Sequence, residues 1–83
     1  MLFVYTREEP RSFWMKNTRI PLDIMYFDAE YRLINAHFQV QPCRRDPCES
    51  YPSTADAQYV LELNGGIAEK LGVEAGDVMS VSY

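Results

Sequence analysis

Two strand-like runs, Leu22–Phe27 and Leu33–Val40, flank Asp28-Ala29-Glu30-Tyr31-Arg32, and this arrangement constrains the fold more than any other stretch. Two apolar runs joined by a loop of about three to five residues predict a β-hairpin. In the second arm Ile34, Ala36, Phe38 and Val40 alternate with Asn35, His37 and Gln39, so the first set is expected in a core and the second in solvent. The rest of the chain offers further strands. Residues 1–5 and 12–18 read as strands separated by a charged, proline-marked loop, and residues 59–64 read as another. In that last strand Tyr59, Leu61 and Leu63 share one face, opposite Val60, Glu62 and Asn64. Pro21 cannot donate to a ladder and belongs at a strand start or edge.

Ile67–Leu71 is the single convincing helical stretch. Ile67, Ala68 and Leu71 form an apolar stripe, Gly72 suits a left-handed cap, and so short a helix forms only by docking on a sheet. Residues 73–77 are expected as a turn and 78–83 as a closing strand. Residues 41–58 hold three prolines, both cysteines and five charges, which predicts a long loop.

Eighty-three residues support one domain, residues 1–83, because a chain this short buries only about 60 to 65 % of its unfolded surface. Six tyrosines, four phenylalanines and one tryptophan favour strands. The expected fold is mainly β: a compact antiparallel β-sandwich or barrel-like domain with one short helix near residues 66–71. The net charge of −4 leaves no basic stripe, and only Arg44-Arg45 pairs cations, so nucleic acid is not an expected partner. No run approaches the roughly 20 apolar residues of a transmembrane helix. No signal peptide is present in this chain, and the first strand opens without a preceding turn, so upstream residues are expected to be missing.

Cys43 and Cys48 have four residues between them. With His37 they still leave a tetrahedral zinc site one ligand short, so no metal and no cofactor are expected. A short-loop disulfide is the leading reading; two free thiols, or metal or redox chemistry, are the alternatives. The disulfide implies an oxidising compartment.

Phe13-Trp14-Met15-Lys16-Asn17-Thr18 is an aromatic strand that turns polar halfway. If Phe13 and Met15 enter the core, Trp14 and Lys16 meet at the surface, where an indole and an ammonium can hold a ligand. The structural reading is that Trp14 caps a core layer while Lys16 lies along it. The run Phe13 to Thr18, with Ile20-Pro21-Leu22-Asp23, Tyr59-Val60-Leu61-Glu62-Leu63-Asn64-Gly65-Gly66 and Gly72-Val73-Glu74-Ala75-Gly76-Asp77, resembles the domain-of-unknown-function family 192. The stretches Pro42-Cys43, Asp46-Pro47-Cys48 and Tyr51-Pro52-Ser53 are similar to a cysteine-bearing loop in part of that family. The resemblance spans nearly the whole chain. It implies a small β-domain, mostly bacterial and archaeal, often behind a secretion or lipoprotein signal, with no established activity. It also implies an upstream strand, whose absence would leave a sheet edge open to a homodimer. Gly72 to Val78 is further similar to the turn-and-strand box of small barrels.

Trp14, Lys16, Asn17, Thr18, Asp23, Glu62 and Asn64 are the candidate ligand-binding residues, and no catalytic residue is assigned. Asp23, Glu62 and Asp77 could divide acid and base roles in a hydrolase or lyase, with Lys16 in support. Their structural alternatives are turn fixing by Asp23 and Asp77 and a Glu62–Lys16 pair. Asn17, Thr18 and Asn64 could equally satisfy loose backbone groups. Ser53 and His37 lack a nucleophile context. The leading expectation is a non-enzymatic, periplasmic or extracellular binding module for a small molecule, a glycan or a protein partner. A structural or assembly module is the further alternative.

Overall fold

The computed structural model of the chain describes residues 1–80. Six strands, β1 (Leu2–Glu9), β2 (Ser12–Trp14), β3 (Leu22–Phe27), β4 (Leu33–Val40), β5 (Ser50–Pro52) and β6 (Ala57–Asn64), precede a helix, α1 (Ile67–Leu71). They form a four-stranded sheet in the order β1-β6-β3-β4 and a two-stranded sheet of β2 and β5. Every strand pair is antiparallel. The small sheet packs on one face of the large one, which does not close into a barrel.

The register explains where the alternation holds and where it fails. β3 and β6 pair without interruption from Leu22 opposite Asn64 to Phe27 opposite Tyr59. Tyr59, Leu61 and Leu63 accordingly share one apolar cluster with Met25 and Phe27, while Val60 joins Ile24 and Tyr26 in the other. The β3–β4 hairpin forms as expected, but its register slips between Leu22 and Ile24 and again between Tyr26 and Phe27. Each slip adds one residue to β4 and exchanges the faces of the β4 residues beyond it. The expected core face of β4 is therefore split. Ile34 and Val40 join the Tyr26 cluster, Ala36 joins the Met25 cluster, and Phe38 is 41 % exposed. Asn35 and His37 are half-buried instead of fully solvent-facing: both donate to the Pro52 carbonyl oxygen. Because that oxygen is an acceptor, His37 Nε2 carries the proton.

Three other expectations are corrected. β1 continues through the charged residues to Glu9, its ladder irregular after Val4; as an edge strand it leaves Arg7 and Glu8 in solvent. β2 stops at Trp14 instead of Thr18, because Asn17 takes a left-handed conformation at φ 65° and turns the chain. The long loop of residues 41–58 contains β5, whose Tyr51 pairs with Phe13, and yields to β6 at Ala57.

Helix α1 spans the expected residues, and Gly72 caps it at φ 66°. Of the apolar stripe only Ala68 is buried; Leu71 is 68 % exposed. Residues 73–77 turn as expected, and Val78 makes a single bridge to Arg32. The remainder of the predicted closing strand, residues 81–83, lies outside the described residues. Gly65 meets Pro21 so closely that an added Cβ would lie 3.1 Å from the proline Cβ, which ties the β6 end to the β3 start.

Candidate functional site

The polar half of the Phe13 to Thr18 run meets the cysteine loop at one end of the molecule. Phe13 stacks at 6.3 Å on Tyr26, and Met15 is fully buried, so the inward face of the run is anchored. Trp14 and Lys16 then emerge together: Trp14 is 55 % exposed, and Lys16 Nζ lies 5.4 Å from its ring centroid. The Met15 carbonyl accepts from the Thr18 hydroxyl at 2.8 Å and from the Cys43 amide at 3.0 Å. Lys16 and Cys43 form a parallel bridge, which lays the cysteine loop alongside the run.

Cys43 and Cys48 are joined by a disulfide, with Cα atoms 5.8 Å apart. The ring they close holds Arg44, Arg45 and Asp46. Between this ring and residues 16–19 lies a depression of about 460 Å³. Its walls carry Lys16, Asn17, Thr18 and Arg19 on one side and Arg44, Arg45 and Asp46 on the other. Trp14 is not a lining residue; it flanks the depression through Lys16. Lys16 is ion-paired with Asp46 at 3.2 Å and not with Glu62.

The remaining candidates stand elsewhere. Asp23 is completely buried, and its carboxylate accepts from the amides of Gln39 at 2.8 Å, Ala68 at 2.9 Å and Gly66 at 3.1 Å. It joins the β4 irregularity to the start of α1, a larger structural task than the turn after Pro21. Asp77 accepts from the Glu74 amide at 2.8 Å and closes the turn before Val78. Glu62 stands in β6 opposite Ile24, and burial raises its pKa above the ordinary 4.5 against a smaller opposing pull from the Met1 ammonium. Asn64 is exposed at the end of β6. Asp23, Glu62 and Asp77 thus belong to three separate settings, and none lines the depression. Among the described residues no cluster of His, Cys, Asp and Glu has metal-binding geometry. No helix there is long and apolar enough to cross a membrane.

The model of the DUF192 family, described as Uncharacterized ACR, matches residues 1–81. The chain belongs to this family. Two solved structures resemble this DUF192 chain at 35 % identity and a TM-score of 0.84, each over 94 % of its residues. One is a protein of unknown function from Novosphingobium aromaticivorans DSM 12444, and the other is described as a proposed transcription regulator from Sinorhizobium meliloti 1021. The chain spans 54 % and 58 % of their lengths. No curated protein matches it at a significant level.

Nothing in the local sequence marks Arg19 as a site residue, and Arg44-Arg45 reads there only as a cation pair. The signal that marks the pair is its place inside the ring closed by Cys43 and Cys48, since so small a ring cannot bury its side chains and must present them. Arg19 carries no such local mark.

Proposed function

We propose that this DUF192 domain is a non-enzymatic binding module whose ligand occupies the depression between residues 16–19 and the disulfide ring. The observation that carries the reading is the grouping of Lys16, Asn17 and Thr18 with an arginine-bearing ring around about 460 Å³, within the range of small-molecule sites. Trp14 adds an exposed indole beside Lys16, able to cover a ring or sugar face. Asp23 and Asp77 bind backbone amides, which favours structural roles for them over acid and base chemistry. The disulfide supports an oxidising location, periplasmic or extracellular.

A thermal-shift screen of metabolites, sugars and metals tests the proposal on the wild type, Trp14→Ala and Lys16→Ala. A ligand at 100 times its Kd adds about 2.7 kcal/mol, which for a domain of this size raises Tm by on the order of 10 °C. The shift is expected to shrink in both variants. A screen without a hit, or a shift indifferent to Lys16, overturns the proposal.

A further inference from the structure

The arginines of this chain divide into two groups. Arg7 pairs with Glu9 at 2.7 Å, Arg11 with Glu9 at 3.5 Å, and Arg32 with Asp28 at 3.4 Å and Glu30 at 3.5 Å. Arg19, Arg44 and Arg45 have no ionic partner among the described residues, and all three line the depression. Such a division is unexpected in a chain with 12 acidic and 8 basic residues, where carboxylates are plentiful enough to pair every cation. Four cations face one carboxylate there, and Asp46 is already engaged by Lys16. Three positive charges are left uncompensated in one concavity, where their mutual repulsion opposes folding.

Two features fix this arrangement. The disulfide keeps Arg44 and Arg45 in a closed ring, and the left-handed turn at Asn17 sets the course of the chain into Arg19. Guanidinium groups present planar forks of N–H donors that match oxyanions two bonds at a time. Asn17 lines the same depression, where its side-chain amide adds a neutral donor. We infer that the depression is a recognition site for a small ligand bearing two or three negative charges on phosphate or carboxylate groups. This rests on the binding-module reading and names its ligand class. A nucleic-acid backbone does not fit the same observations: the three unpaired arginines are gathered in one depression and form no extended basic stripe, on a chain of net charge −4.

Calorimetric titration with inorganic pyrophosphate and with citrate tests the inference, on the wild type, R44A/R45A, R19A and R7A. Arg7 is a charge-matched control because it lies outside the depression, paired with Glu9. All four arginines are exposed, and far-UV circular dichroism verifies that the variants fold. The expected result is saturable binding of at least one anion that weakens with salt. Binding should also fall about tenfold or more in R44A/R45A and in R19A, and remain unchanged in R7A. A preference for pyrophosphate assigns phosphate groups, and a preference for citrate assigns carboxylates. If neither anion binds while a neutral ligand still depends on Lys16, the anion inference falls and the binding-module reading stands. If nothing binds, both fall. Equal losses in R7A and R44A/R45A, or competition by a DNA duplex with the same arginine dependence, also overturn the inference.

Discussion

Asp23 and the arginine-lined depression hold charge in opposite ways. Asp23 is buried, and the amides of Gln39, Gly66 and Ala68 converge on its two oxygens. Arg19, Arg44 and Arg45 are exposed and have no ion-pair partner among the described residues, the one carboxylate beside them, Asp46, being paired with Lys16. A charge whose hydrogen bonds are satisfied inside the molecule serves the fold, because nothing outside can reach it. A cluster of like charges held apart from available partners costs stability and gains nothing unless a ligand completes it. The contrast therefore separates structural polarity from recognition.

The contrast is sharpest at Asp23. Asp23→Ala removes a buried carboxylate that accepts from three amides, one of them fully buried, and is expected to cost about 3 to 5 kcal/mol in urea unfolding, enough to unfold most of a domain this small. A loss near 1 kcal/mol would show that Asp23 is not the keystone described. Reducing the disulfide releases a ring of about six residues and should lower stability by about 2 kcal/mol, read as a lower urea midpoint in dithiothreitol than in its absence.

Tyr26 offers a third measurement. Its hydroxyl donates to the Tyr51 carbonyl, and burial pushes its pKa up to about 12 from the usual 10.0. The folded state therefore holds its proton through a window in which the unfolded phenol ionises. Below pH 10 the Tyr26 contribution is fully present, and it is lost as pH rises toward 12. Tyr26→Phe should cost about 1 kcal/mol at neutral pH by leaving the Tyr51 carbonyl without its donor. It should also flatten the fall in stability above pH 10 relative to wild type. At the small end, R44A/R45A should change stability by no more than about 0.5 kcal/mol, on the stabilising side, since it relieves repulsion without exposing core. A large destabilisation there would place these arginines in the fold and break the comparison.

Much of the architecture was legible in the chain because it depends on local pattern. The β3–β4 hairpin, the faces of β6, helix α1 and the pairing of two cysteines all follow from periodicity, turn residues or spacing. The inward course of Phe13 and Met15, with Trp14 and Lys16 outward, follows from the same alternation. β4 resisted this reading because its two irregularities exchange faces midway. β5 was hidden because a three-residue strand ending in proline carries almost no pattern of its own; it exists because Tyr51 finds Phe13.

The sequence by itself determined a mainly β domain, its principal strands and helix, its family, and the surface pairing of Trp14 with Lys16. Only the tertiary structure decided which polar groups are satisfied and which are not. Asp23 meets the Gly66 amide across 43 residues of sequence, and Lys16 meets Asp46 across 30. Propensity and periodicity are energies of neighbouring residues along the chain. Hydrogen-bond satisfaction and charge compensation are energies of neighbours in space, and for Arg19, Arg44 and Arg45 those neighbours are set by the packed fold.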